Sequence, residues 1–338
     1  NNSAILYLGS RNDGLWKSED YGQTWNQVTS FDIEGDFLYD KGTVYEGHLG
    51  ITFVLCDKNS NVSGKGSQTI YVGIGNKEHS IYKTTDGGNT WAPLADEPRG
   101  KIVDEATQSW EIQDGDTYLP QQAYLTKDGM LYVTYATEAG PYASGYGDVW
   151  KYNTNTEEWK LVSPVSSKNA PNDPWYGYQG LAVDPQNENN IVVTCQSWWP
   201  DMLMYRSTDG GETWENVWEW TSYPERNIKC DIDISVAPWL DWGSTHGPDN
   251  NAEASPKIGW NVGAIAIDPF NSDRMMYGTG ATLYGTDNLT NWDKGEKFNI
   301  EVKAKGIEET VSNALITIPD TEDDGLVSSL WDINGFYH

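Results

Sequence analysis

Short runs of alternating apolar and polar residues recur along the chain, and none carries the 3.6-residue period of an amphipathic helix. Leu181-Ala182-Val183-Asp184-Pro185 leads into Ile191-Val192-Val193-Thr194-Cys195, and Ala264-Ile265-Ala266-Ile267-Asp268-Pro269 leads into Met275-Met276-Tyr277-Gly278. Both read as strand, Asp-Pro turn, strand, since β-branched and aromatic residues favour extended backbone and Asp-Pro favours a turn. Thr69-Ile70-Tyr71-Val72-Gly73 followed by Ser80-Ile81-Tyr82-Lys83 supplies the second and third members of the same set.

A third strand of this kind runs into an octapeptide, Ser/Thr-x-Asp-x-Gly-x-Thr-Trp, that occurs three times: 18–25, 84–91 and 207–214. This is the Asp-box. Its short oxygen side chains can cap backbone N–H groups in a hairpin turn, Gly supplies positive φ, and Trp is expected to anchor the turn against the following strand. Trp25, Trp91 and Trp214 are 66 and 123 residues apart, the second gap nearly twice the first. A degenerate copy fills it, ending at Trp159, and another ends at Trp292, where Asp287 is read as the retained box aspartate. Four strands per unit, with the box closing the hairpin between the third and fourth, is the blade of an all-β propeller. Five blades are visible, against the seven or so that close a ring of blades this size. Inserts at about 30–65, 97–127, 164–178 and 221–258 are expected to wall a cleft on one face. The chain therefore reads as an internal portion of a larger protein.

Charge narrows the partners. With 50 acidic against 22 basic residues the formal charge is −28, which repels nucleic acid and anionic membrane surfaces. The 17 Trp and 20 Tyr against 6 Phe favour rings with a polar handle, which suits half-exposed positions on a binding surface. Cys56, Cys195 and Cys230 lack metal-ligand spacing and read as small buried hydrophobes. His48, His79, His246 and His338 show no zinc spacing, and no nucleotide fingerprint occurs, so neither metal nor cofactor is expected. Sequons at Asn1, Asn61 and Asn288 are compatible with secretion.

Six segments occur in order: 14–22, Ala139-Gly140-Pro141-Tyr142, Ser197-Trp198-Trp199-Pro200-Asp201, 265–273, Tyr277-Gly278-Thr279-Gly280 and Gly306-Ile307-Glu308-Glu309. Together they resemble the xyloglucanases of glycoside hydrolase family 74, and the resemblance runs almost from end to end. It implies two seven-bladed propellers side by side, with an open cleft between them for a β-1,4-glucan backbone bearing xylose branches. It also implies a secreted enzyme that inverts the anomeric carbon with two aspartates, one from each propeller. Residues 1–318 would then belong to the N-terminal propeller, incomplete at its start, and 319–338 to the first strand and turn of the second, its partner in the same protein.

The terminal Trp331-Asp332-Ile333-Asn334-Gly335-Phe336 resembles the second of the family's catalytic turns, which makes Asp332 the general acid. Asn334 stands where Gly is usual, and Trp331 where a small residue is commoner. Glu308 and Glu309 are candidate neighbours that could raise its pKa. Inversion needs a base about 6.5–9.5 Å away to activate water, and the matching turn is not found before residue 14, so the base is expected outside this chain.

For sugar contact the candidates are Trp198 and Trp199 at a strand end, Trp175, Tyr176, Tyr178 and Gln179 at the end of one insert, and Trp220 on another. Trp218, Tyr223, Trp239 and Trp242 flank that last insert. Trp25, Trp91, Trp159, Trp214 and Trp292, like Asp20, Asp86 and Asp209, recur once per blade and so serve the blade. Two other readings compete. A sialidase would need an arginine cluster for its carboxylate substrate, and the chain has only five Arg. The alternative of a different class is a noncatalytic glycan-binding or interaction propeller.

Overall fold

The computed structural model describes residues 4–39, 46–113, 116–139, 145–170, 175–195, 197, 201–223, 225–244, 256–306, 312–317, 325–330 and 335–337. Strand sets fall where the alternating pattern puts them. Leu6–Gly9, Leu15–Ser18 and Asn26–Gln27 form a three-stranded first blade. The second holds Ile51–Cys56, Ile70–Ile74, Ile81–Thr84 and Ala92–Pro93 in sequence order across the sheet. Leu119–Leu125, Met130–Ala136, Val149–Asn153 and Glu158–Leu161 make the third. Tyr178–Val183, Ile191–Cys195, Leu203–Ser207 and Glu215–Asn216 make the fourth.

The fifth blade departs from the four-stranded plan. Ile265–Asp268, Asn271–Gly278, Leu283–Thr286 and Phe298–Val302 meander as expected, and Cys230–Asp233 adds a parallel strand outside Phe298–Val302. A last sheet pairs Ser312–Thr317, Leu326–Leu330 and Gly335–Tyr337. The strand-turn-strand readings hold in register, with Val183 opposite Ile191 and Ile265 opposite Tyr277.

Burial explains why the middle strands are apolar runs. A blade is covered on both faces by its neighbours, so Ile70–Ile74 and Ile191–Cys195 are buried at every position, whereas outermost Ala92–Pro93 is exposed. Wedge-shaped cores lie between blades. Many of their largest fully buried side chains are tyrosines, among them Tyr71, Tyr118, Tyr135, Tyr152, Tyr178, Tyr277 and Tyr284. This corrects the reading of the Tyr excess as a mainly surface feature. The rings fill the wedge, and several hydroxyls find buried partners, as Tyr277 does on the Ile258 carbonyl at 2.9 Å. All three cysteines are free; Cys195 and Cys230 are buried as expected, but Cys56 is exposed.

Each intact box closes its hairpin by the same hydrogen bonds. Ser18 Oγ donates to Asp20 Oδ1 at 2.8 Å and accepts from the Gly22 N–H at 2.8 Å, while Asp20 accepts from the Thr24 N–H and hydroxyl at 2.8 and 2.6 Å. Thr84/Asp86/Thr90 and Ser207/Asp209/Thr213 repeat the pattern. Gly22, Gly88 and Gly211 sit at φ +85°, +92° and +87°, which is why the position requires glycine.

The fifth copy is built one residue later than the sequence suggests. Thr286 Oγ1 donates to Asn288 Oδ1 at 3.0 Å, and Asn288 also accepts from the Asn299 N–H at 2.8 Å. Asp287 instead pairs with Arg274 and Lys303 at 2.8 and 3.1 Å. A short 3-10 helix, Leu289–Lys294, then replaces the tight turn.

The topology separates two faces. In an antiparallel meander, first-to-second and third-to-fourth connections leave at one end of the blade, and all other connections leave at the opposite end. The boxes therefore share a face with the turns around Asn189 and Gly129, and Gly210 N–H bonds the Asn189 carbonyl at 2.9 Å. The connections between blades emerge on the other face, whereas residues 57–69, which hold the end of the 30–65 insert, lie on the box face, where the Gln68 carbonyl accepts from the Gly87 N–H at 2.9 Å.

Candidate functional site

Five small elements crown the insert face. They are the hairpin Leu38–Tyr39/Gly47–His48, the hairpin Lys101–Asp104/Ser109–Glu111, the parallel pair Gly145–Tyr146/Trp175–Tyr176, the hairpin Trp218–Ser222/Glu225–Ile228, and the 3-10 turn Pro238–Ser244.

Asp332 lies outside the described residues, as do its neighbours Trp331, Ile333 and Asn334. The strands on either side are paired, with Ser329 opposite Gly335. Phe336, four residues beyond Asp332, receives Trp239 edge-on, with ring centroids 5.5 Å apart at 85°. The 221–258 insert thus packs against the strand that follows Asp332. Glu308 and Glu309 are also outside the described residues, as is the side chain of Trp242.

Trp198 and Trp199 fall outside as well, but the residue that ends their segment is well defined. Asp201 is fully buried and accepts N–H groups from Met202, Ile258 and Gly259 at 2.9, 3.1 and 3.2 Å, with Arg226 Nη1 3.9 Å away. Burial pushes its pKa up to about 6, against the pull of those N–H groups and of Arg226. The carboxylate ties the Trp198–Trp199 segment to the end of the 221–258 insert, a role the sequence did not suggest.

The remaining candidates divide. Trp175 lies on a strand paired to Gly145, and its side chain is outside the described set. Tyr176 is half-buried against the core. Tyr178 is a correction: it is 1% exposed, and its hydroxyl donates to the Val165 carbonyl at 2.8 Å and accepts the Val165 N–H at 3.0 Å, which makes it a packing residue. Gln179 is a second correction, buried with its amide reaching the Glu138 carbonyl at 3.4 Å, so it props a neighbouring loop from below.

Trp220 is open to solvent. It is 40% exposed, edge-on to buried Trp218 at 5.4 Å and 5.5 Å from Tyr223, which is 68% exposed. Trp218 is itself held by its indole N–H on the Met202 carbonyl at 2.8 Å and by Arg226 lying over its ring at 4.9 Å. The result is an aromatic platform whose outer members present apolar faces to solvent on a braced base.

A second concavity on this face went unread in the sequence. A cavity of ≈ 260 Å³ between the first and second blades is lined by Arg11, Asn12, Glu34 and His48 among others. It exists because backbones touch: a Cβ on Gly50, at φ +67°, would lie 2.3 Å from the Arg11 carbonyl oxygen. The only sequence signal was the position of His48 inside an insert.

Two other buried carboxylates have raised pKa values but no access to a ligand. Asp148, pushed up to about 6 by burial, accepts from Tyr118, Ser163 and the Ser167 N–H. Glu97, also raised by burial, accepts from Ser80, Ile81 and Tyr135. Both brace the roots of inserts. Asp20, Asp86 and Asp209 are held low, at about 2, chiefly by the threonine that closes each box. Among the described residues no cluster of three His, Cys, Asp or Glu could hold a metal, and no helix is long and apolar enough to cross a membrane.

No family model matches the chain. Individual relatives do. A xyloglucanase of Acetivibrio thermocellus is 47% identical over 342 residues, covering 100% of this chain and 38% of the relative. A xyloglucanase of a Paenibacillus species is 46% identical over 341 residues, again across 100% of this chain and over 31% of the relative. The chain thus spans about a third of the length of these curated relatives. Among solved structures, the glycoside hydrolase family 74 xyloglucanase of Xanthomonas campestris superposes with a TM-score of 0.79 at 29% identity, over 99% of this chain and 42% of that one. End-to-end sequence similarity and the shared propeller agree, and this chain belongs to glycoside hydrolase family 74.

Proposed function

We propose that the chain is the N-terminal propeller portion of a secreted xyloglucan-degrading glycoside hydrolase. The observation that carries this reading is the 46–47% identity to xyloglucanases across the whole chain. The insert face supports it, because the Trp220 and Tyr223 rings offer neutral apolar surfaces of the kind that stack on pyranose rings.

Asp332 acts as general acid, giving its proton to the glycosidic oxygen as the bond to the anomeric carbon breaks. A second carboxylate, outside this chain, takes a proton from the water that attacks the opposite face of that carbon, and the configuration inverts. The inserts bind the β-1,4-glucan backbone and its branches, and a second propeller completes the cleft. No cofactor enters the reaction.

The full-length protein incubated with tamarind xyloglucan tests this reading through the appearance of new reducing ends. Release of oligosaccharides is the expected result. Tight binding without any new reducing end would replace the hydrolase with a noncatalytic glycan-binding propeller.

A further inference from the structure

A groove of ≈ 720 Å³ runs along the outer rim of the third blade, and Trp220 is not among its lining residues. Its walls include Glu158, Trp159 and Lys160 on the outermost strand, the box-side turn at Asn153 and Glu157, and the tip of the 101–111 hairpin from Ala106 to Gln108, with Trp110 behind it. Asp96 and Pro98, from the exit of the second blade, close the far side.

The chemistry of the walls is selective. Three indoles, Trp110, Trp150 and Trp159, line one groove, with Trp110 and Trp159 half-exposed. The cations beside them are already engaged, since Lys151 and Lys160 both bind Glu212, at 2.8 and 2.7 Å. Gln108 spends its carbonyl oxygen on the Leu161 N–H at 2.9 Å. The side-chain carboxylates of Asp96 and Glu157 accept no hydrogen bond among the described residues. A ligand here meets apolar ring faces and open acceptors but no arginine and no uncommitted lysine. An anion is repelled, and an uncharged molecule rich in hydroxyl donors is favoured.

We infer that this rim groove is a second saccharide site, binding a neutral β-glucan chain separately from the cleft. Pyranose faces stack on Trp110 and Trp159 while hydroxyls donate to Glu157 and Asp96. A polymer held at both places raises its own effective concentration at the cleft without any new contact there.

Hydrogen exchange on the full-length protein tests the site, with cellohexaose, a xyloglucan oligosaccharide and hexagalacturonate as probes. Protection of amides in 104–111 and 153–161 by the two neutral probes, and none by the anionic one, is expected. Trp110→Ala should abolish that protection and weaken retention in xyloglucan affinity gels about tenfold, with hydrolysis of a short soluble oligosaccharide unchanged. Glu157→Gln, on an exposed turn, keeps the fold and should weaken retention about threefold. The inference is overturned if neutral probes at saturation protect neither segment, or if Glu157→Gln and a folded Trp110→Ala are both retained like wild type. Because hydrolysis is read separately, failure here leaves the cleft reading standing, and the reverse also holds.

Discussion

The indole N–H of Trp214 donates to the carbonyl oxygen of Val162 at 2.8 Å, so the tryptophan that ends the fourth blade's box is fastened to the last strand region of the third. Three further box tryptophans reach back in the same way, whereas Trp25 of the first box bonds the Gly22 carbonyl of its own turn at 3.1 Å. Trp159 bonds the Ala95 carbonyl at 3.1 Å, Trp292 bonds Glu215 at 3.1 Å, and Trp91 packs edge-on to Phe31 with centroids 5.0 Å apart. The expectation that each indole anchors its turn to the following strand was therefore incomplete: these indoles reach backward across the blade boundary. The repeat that defines a blade also joins it to its predecessor.

Replacing that indole tests the fastening. Trp214→Phe keeps most of the ring but loses the hydrogen bond, a cost of about 1 kcal/mol. Trp214→Ala also loses the packing and costs roughly 3–5 kcal/mol. Thermal midpoints and urea midpoints should fall in that order, and an alanine variant as stable as wild type would mean the contact is incidental.

Two groups of carboxylates impose opposite pH dependences. Asp209 has its pKa lowered from 3.8 to about 2 by Thr213 and Ser207, so its box bonds stabilise the fold fully above about pH 4 and are lost as pH falls through 2. Asp209→Asn should flatten the acid limb of a melting-temperature profile between pH 4 and 2, and Asp209→Ala should lower the whole curve. An unchanged acid limb in the Asn variant would count against the assignment.

Asp148 works in the other direction. Its folded pKa is raised to about 6 by burial, so between about pH 4 and 6 the folded chain holds a proton that the unfolded chain releases. Stability at this site therefore declines as pH rises through that interval. Asp148→Asn keeps acceptor and donor capacity for Tyr118, Ser163 and Ser167 and should remove the decline, with a loss at pH 5 of about 1 kcal/mol or less. Melting curves at pH 4.5 and 7.5 make the comparison.

Trp220 separates binding from folding. As a 40%-exposed ring, its replacement by Ala should shift stability by no more than about 0.5 kcal/mol. If it stacks on a sugar, the same change weakens oligosaccharide binding by about 1 kcal/mol, roughly fivefold, in isothermal calorimetry. A large fall in stability with unchanged affinity would reverse its assignment.

The parts of the fold that were legible in the sequence are those decided locally. Alternation and turn chemistry set Tyr178–Val183 against Ile191–Cys195, and Ser, Asp, Gly and Thr at fixed offsets build each intact box. What was misread depends on distant partners. Asp287 looked like a box residue, but Arg274 and Lys303 draw it away and Asn288 caps the turn instead. Tyr178 looked like a binding residue at the end of an insert, but the wedge between blades buries it and Val165 takes its hydroxyl. The Arg11–His48 cavity depends on Gly50 pressing against the neighbouring loop, a contact between blades that no local pattern encodes.

The central claim is that Asp332 supplies the proton for an inverting cleavage. It is tested most directly by following xyloglucan hydrolysis by the full-length protein in a proton NMR tube, wild type beside Asp332→Ala. The account predicts that the α-anomer appears first for wild type and that the variant is slower by about 10²–10⁴-fold, the usual worth of general acid catalysis. A variant that hydrolyses xyloglucan at the wild-type rate, or a wild type that yields the β-anomer first, would contradict it.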